Sequence, residues 1–354
     1  MKYLRPIDTH AHFRWDEYLN YNFIKLGFRD SRAVGLAGVL EMPNTTPQLT
    51  TIANIADRIV IANKHRGEIY HGIYAGTSED MAQVKNIVLE AKKSMEANGR
   101  INGIKIFHCQ STGKMGITDH DKQREIWEIL GGLEYKGVVT NHFEDEESYT
   151  GDFDYTNPIT HSIRQNPESE LIQAERQVRN AKDFKFQGIM VSAHTSNPDT
   201  VDYLISERKN VPFDIAIEMT LHHMFLNTED YSIHKNRVKM NPPLRVPILQ
   251  QRNLEHVLKG NIDFIGTDHA PHPIEEKDSK TPKSGIPAIP FYPRGIELLR
   301  NEKIREIVLQ DITFNNANRI FKLGLAPRLA EVEYNPLLWV AYGYNPFSRI
   351  DGTI

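Results

Sequence analysis

Short, almost uninterrupted apolar runs separated by longer amphipathic stretches organise this chain. Eight such runs stand at residues 7–12, 38–42, 69–75, 103–107, 138–142, 189–194, 213–220 and 262–267. Runs without polar alternation suit strands of a parallel sheet covered on both faces. Between them, apolar positions recur at helical spacing, as with Met81, Val84, Val88, Ala91 and Met95 in the stretch 80–97. After the sixth run, Asn197, Pro198 and Asp199 read as a cap residue, a proline at the first helical position and an acid near the positive end of the dipole. Strands and helices alternating in this number predict a (β/α)8 TIM barrel, with an open doubly wound sheet as the alternative. No linker divides the chain, so residues 1–325 read as one barrel domain. Residues 326–354 read as a C-terminal extension whose aromatics (Tyr334, Trp339, Tyr342, Tyr344, Phe347) predict packing on the barrel or on a partner subunit.

Two connections are long, 144–167 after the fifth run and 271–293 after the eighth. Both follow the C-terminal ends of strands, where long loops build sites in such barrels. Reading the strand ends alone collects His10 and His12, then Lys105, His142, His194 and Asp268. His10 and His12, two apart in an extended strand, project the same way, and neutral imidazole is the commonest side-chain metal ligand. Each of these residues taken singly reads as a hydrogen-bonded surface group; taken together they read as a metal centre. Lys105 is the odd member, because an ammonium has no lone pair to offer a cation. It suits the cluster only if its amine is carboxylated to an anion, and otherwise reads as a salt-bridge lysine. Arg14 offers a planar fork suited to a carboxylate, although Asp16 or Glu17 could pair with it. Asn44 could equally cap a turn. Asn141 is expected to face away from the metals, and His222 with His223 to support the seventh strand. Cys109 has no activating neighbours, and Gly113-Lys114 lacks the pattern of a phosphate loop.

Composition narrows the class. The chain has 354 residues, a net charge of −4, 40% hydrophobic and 25% charged residues, as expected of a globular protein with a sizeable core. No apolar run has membrane-spanning length, and the first strand begins too early to leave room for a signal peptide. Dispersed lysines and arginines give no nucleic-acid footprint. A single cysteine cannot build a disulfide framework, so a reducing cytoplasm is expected.

Six blocks together resemble the dihydroorotases of the amidohydrolase superfamily. They are Asp8-Thr9-His10-Ala11-His12-Phe13-Arg14, Met42-Pro43-Asn44-Thr45-Thr46-Pro47 and Gly103-Ile104-Lys105-Ile106-Phe107. Further on come Glu218-Met219-Thr220-Leu221-His222-His223, Asn241-Pro242-Pro243-Leu244-Arg245 and Thr267-Asp268-His269-Ala270-Pro271-His272. The resemblance covers residues 7 to 275 and implies two divalent metal ions, zinc by expectation, with N6-carboxylysine at Lys105. One ion would be held by His10, His12, Lys105 and Asp268, the second by Lys105, His142 and His194. It implies a metal-bridging hydroxide as nucleophile, with Asp268 as general acid and base. The implied reaction is the reversible cyclisation of N-carbamoyl-L-aspartate to L-dihydroorotate in pyrimidine (UMP) synthesis. Arg14, Asn44, Asn241 and His272 match substrate-holding positions. Ser111 and Thr112 match a mobile loop of the short, single-domain branch, although the later blocks look more like the long branch. The resemblance also implies a homodimer and leaves association with aspartate transcarbamoylase open. Alternatives are a hydantoinase, dihydropyrimidinase or allantoinase-like hydrolase, or a non-catalytic partner of aspartate transcarbamoylase.

Overall fold

The structure, a computed structural model, describes residues 1–16, 21–110 and 114–352. Every one of the eight apolar runs forms a strand: β1 (Ile7–Ala11), β2 (Gly38–Glu41), β3 (Tyr70–Gly76), β4 (Ile101–Phe107), β5 (Val138–His142), β6 (Ile189–Ser192), β7 (Asp214–Thr220) and β8 (Phe264–Gly266). They are parallel and lie side by side in chain order. Beyond β8 the ring is drawn together by Thr267, whose N–H and hydroxyl donate to the two Asp8 carboxylate oxygens at 2.9 and 2.6 Å. The His12 N–H, donated to the His269 carbonyl at 2.8 Å, adds a second tie. The result is a nearly closed (β/α)8 barrel.

Local sequence explains the helices between the strands. Met81–Glu96 begins where Asp80 accepts hydrogen bonds from the Ala82 and Gln83 amides, and it buries Val84, Ile87, Val88 and Ala91. In Pro198–Glu207 the Asn197 side chain accepts from the Asp199 amide and Pro198 occupies the first turn, as the sequence predicts. One apolar cluster, including Ile7, Leu40, Tyr74, Val191 and Phe264, packs against Phe314 and Phe321. The larger cluster lies between sheet and helices, with Ile104, Trp127, Phe186 and Met190 among its members.

Two buried ionic devices hold the strand ends. Glu41, the last residue of β2, pairs with Arg58 of the helix Ile52–Asn63 and accepts from His71 Nε2 at 2.9 Å. Arg58 also donates to the Phe13 carbonyl, pinning the turn between His12 and Arg14. In the connection after β8, Lys277 is fully buried and donates to the Lys239, Lys283 and Gly285 carbonyls at 2.8, 2.8 and 2.9 Å. Three carbonyls use all three donors of the ammonium and fix the path of that loop. In the C-terminal segment Trp339, Tyr342 and Phe347 are buried; Phe347 stacks on Phe291 with centroids 3.9 Å apart, and Tyr342 donates to Asp30 at 2.7 Å. Among the described residues, no helix is long and apolar enough to cross a membrane.

Candidate metal and substrate site

His10 and His12 at the end of β1 and Asp268 just past β8 each bring one ligand atom within 4.8 Å of the others. His12 Nε2 lies 3.0 Å and His10 Nε2 3.4 Å from the same oxygen, Asp268 Oδ1. The opposite ring nitrogens are occupied: His10 Nδ1 meets Glu218 Oε1 at 2.7 Å, and His12 Nδ1 meets Asn44 Oδ1. A proton held on each Nδ1 leaves the Nε2 lone pairs facing Asp268. Burial pushes His12 down to about 4 even against Asp268, so the ring is neutral near pH 7. Burial alone would raise the Asp268 carboxyl, but His10 and His12 outweigh it and hold it well below the usual carboxylate range. Two imidazole Nε2 atoms converging on a carboxylate are a donor set for a divalent cation.

A second group stands beside it. His142 ends β5, His194 lies two residues past β6, and their rings are 4.4 Å apart; the His10 and His194 rings are 5.0 Å apart. His142 Nε2 is bonded to Glu144 Oε2 at 2.8 Å. Lys105 in β4 is fully buried, and among the described residues its Nζ has no hydrogen-bond partner; His194 Nδ1 has none either. Burial pushes the Lys105 ammonium down to about 8, opposed by Glu218 and Asp268. Buried polar groups left unsatisfied cost about 1–3 kcal/mol each, more if charged. Two such atoms in one histidine-lined wall fit a site built for a further group. His194 and Asp268 both hold positive φ, +37° and +46°, a left-handed conformation costly for non-glycine residues and concentrated at functional sites.

The substrate-side residues line the same cleft, where Arg14, Asn44, Asn241 and Ser284 meet His10, His12, His142, His194 and Asp268. Arg14 Nη1 lies 2.6 Å from His272 Nε2. His272 Nδ1 is bonded to Glu276 Oε2 at 2.9 Å, its Nε2 also lies 3.0 Å from the Ser284 carbonyl, and burial holds the ring well below its usual pKa. Burial also pushes the Arg14 guanidinium down to about 10. Asn241 Oδ1 accepts from His161 Nε2 and Ser284 Oγ, both at 3.0 Å. The cleft holds about 20 Å³ of open space, enough for about one water. A larger cavity of about 280 Å³ lies away from it beside Tyr70, Tyr135 and Phe321, and brings together none of the candidate ligands. Ser111 and Thr112 lie outside the described residues.

Some of the arrangement escapes the sequence reading. Asn44, assigned there to substrate, spends its side-chain oxygen on His12. His223 does support β7, through Thr220 Oγ1 at 2.9 Å and the Pro242 carbonyl at 3.1 Å. His222 does not: both of its ring nitrogens are buried without a hydrogen-bond partner among the described residues. Asn141 faces away from the cluster, accepting from His108 Nε2 at 3.0 Å. Glu218 and Glu144 had no role assigned. Their signals are a lone carboxylate in an apolar strand and a His-x-Glu spacing, since buried acids require partners.

No family model matches the chain. Among curated proteins, it is 28% identical over 326 residues to the dihydroorotase of Methanosphaera stadtmanae, covering 90% of this chain and 70% of that one. It is 29% identical over 287 residues to the dihydroorotase of Halobacterium salinarum, covering 80% and 63%. Over most of its length the chain is therefore similar to dihydroorotases. Among the described residues, His10, His12 and Asp268 form one group able to hold a metal ion, and Cys109, His142 and Glu144 form another. The fold agrees: dihydroorotase from Saccharomyces cerevisiae, solved with 5-fluoroorotic acid, matches with a TM-score of 0.74 and 17% identity over 93% of this chain and 85% of that one. An L-hydantoinase from Arthrobacter aurescens matches with a TM-score of 0.75 and 19% identity over 93% and 75%.

Proposed function

We propose that this chain interconverts N-carbamoyl-L-aspartate and L-dihydroorotate at the cleft between β1 and β8. The observation that carries the reading is the placement of Arg14 and the His10, His12 and Asp268 cluster on one small cleft. An acid-reading cation and a cation-binding donor set then line one cleft. His10, His12 and Asp268 would hold one divalent ion and His142 and His194 a second, with Lys105, carboxylated on Nζ, contributing to both. Zinc suits this nitrogen and oxygen donor set. When bound, such ions supply Lewis acidity, polarising a ring carbonyl and lowering the pKa of water.

The chain's own residues do the rest. Asp268 is ionised and lies 3.0 Å from His12 Nε2, so it can accept a proton from water as the ring opens. It then returns that proton to the departing ring nitrogen; ring closure runs the same transfers backwards. Arg14 orients the substrate carboxylate, with His272 and Glu276 holding the guanidinium in place. Asn241, tied to His161 and Ser284, borders the ring. The same reading puts the enzyme in the cytoplasm, where its buried single cysteine stays reduced.

The test is turnover of dihydroorotate by the purified chain with a metal count on the same sample. Turnover with about two ions per chain is the expected result. Arg14→Met should lower kcat/KM for dihydroorotate by one to two decades, since losing a charged hydrogen bond costs about 1.5–3 kcal/mol. Metal content should be unchanged, and any activity on the neutral ring of dihydrouracil should fall much less. Equal losses on both substrates would turn the reading towards a general cyclic amidase. A metal-replete chain with no turnover of either would favour a binding partner over an enzyme.

A further inference from the structure

Glu218 borders both groups of candidate ligands and belongs to neither. From β7 its fully buried carboxylate takes three hydrogen bonds: from His10 Nδ1 at 2.7 Å, from the Thr9 hydroxyl at 2.6 Å and from the His194 main-chain N–H at 3.0 Å. His10 lies in the first group of donors and His194 in the second, so one side chain reaches into both. Strand β8 makes room for it. A Cβ on Gly266 would lie 2.7 Å from the Glu218 carboxyl carbon, 2.8 Å from Oε2 and 2.9 Å from the His10 Cβ, so the close approach requires glycine there.

We propose that Glu218 is a positioning residue that fixes the tautomer of His10 and the seat of His194, and through them the affinity of both metal sites. The inference rests on the metal-centre reading above. A carboxylate on Nδ1 keeps the proton there and leaves the Nε2 lone pair for a ligand bond. Without it, the His10 proton can move to Nε2 and be donated to Asp268 Oδ1, 3.4 Å away, which removes the donor pair. His194 holds φ +37°, and the bond from its N–H to Glu218 secures that turn. Removing Glu218 therefore disturbs the second site through the backbone and the first through the ring.

Two variants separate positioning from a purely structural clamp. In Glu218→Gln the amide oxygen can still accept from His10 Nδ1 and the His194 N–H. Its NH2 then meets the Thr9 hydroxyl, which turns to accept. Shape and tautomer survive while the charge is lost. Glu218→Leu removes every contact. Nitrogen–proton correlation NMR on the metal-free full chain reads the His10 tautomer, and zinc titration in a metal buffer reads the two affinities. The expected result is Nδ1–H in the wild type and in Glu218→Gln, with both affinities in the latter down less than tenfold. In Glu218→Leu we expect Nε2–H at His10 and both affinities down about 10–100-fold. Wild-type affinities in a folded Glu218→Leu, or a loss confined to one site, would overturn the proposal. If Glu218→Leu fails to fold, Glu218→Gln decides alone: Nε2–H in that variant with wild-type affinities, or Nδ1–H kept with both affinities down more than tenfold, would also overturn it. A wild-type chain that takes up no zinc would overturn the metal-centre reading; the tautomer, measured without metal, still tests the role of Glu218 separately.

Discussion

Asp268 combines two demands on one carboxylate. It faces His10 Nε2 and His12 Nε2 at 3.4 and 3.0 Å, and under the proposed reading it would hold a cation with them and also carry a proton. Asp268→Asn keeps the size of the side chain, and asparagine tolerates the +46° φ better than most residues, so the fold should survive. Turnover should fall by at least 10²–10⁴-fold, the usual range for general acid–base catalysis, and by more if metal is lost. Circular dichroism checks the fold and a steady-state assay the rate; retention of a tenth of wild-type activity would count against the role. Lys105→Ala should lose metal, and short carboxylic acids in solution should restore part of the activity by standing in for a carbamate. A variant that keeps two ions and full activity would make Lys105 structural. The ligand candidates were legible in the sequence because each lies within two residues of a strand's C-terminal end, a position that barrels reserve for chemistry. Glu218 and Asn44 were not legible in their observed roles. Their partners His10 and His12 lie 208 and 32 residues away, and only the closed barrel brings them within hydrogen-bond distance.

At the scale of elements, the strand pattern was readable to within a residue or two because parallel strands buried on both faces leave an unmistakable apolar run. The sixth strand is the instructive departure: the run reaches residue 194, but β6 ends at Ser192. The left-handed turn at His194 breaks the ladder to aim the ring inward, and such a turn leaves no mark in an apolar pattern. The device joining β2 to its following helix is equally silent in sequence, since Glu41 and Arg58 look like ordinary surface charges. Burial would raise the Glu41 carboxyl, but Arg58 and His71 outweigh it and hold it at about 2. A carboxyl depressed in the folded state contributes stability above its unfolded pKa, about 4.3, and loses that contribution as pH falls towards 2. Glu41→Gln should therefore destabilise the chain by about 3–5 kcal/mol near neutrality, because it leaves the Arg58 charge buried and unpaired. Denaturant unfolding across pH checks this: the gap between wild type and variant should narrow between pH 4.5 and 2. A gap of constant size would mean that Glu41 acts by shape alone.

Across the whole molecule, stability and chemistry divide between regions of the barrel. Apolar packing around Phe314 and Phe321 needs no ligand. The rim gathers His10 and His12 from β1, Lys105 from β4, His142 from β5, His194 beyond β6 and Asp268 beyond β8. Ions bound there would tie together elements far apart in the chain, including the β1–β8 closure that otherwise rests on Thr267 with Asp8 and on the His12–His269 bond. A ligand that binds the folded state alone stabilises it by about 2.7 kcal/mol at a free concentration of 100 Kd, and by about 4.1 kcal/mol at 1,000 Kd. Stripping the chain with a chelator should therefore lower its thermal midpoint. Zinc added back should raise the midpoint in proportion to the logarithm of free zinc, without a change in secondary structure. The same titration on Asp268→Asn should show a smaller rise, since one ligand to the first ion is weakened. A midpoint indifferent to chelation and to zinc would mean that the rim is held by its own hydrogen bonds, and that the histidines gather there for a purpose other than binding metal.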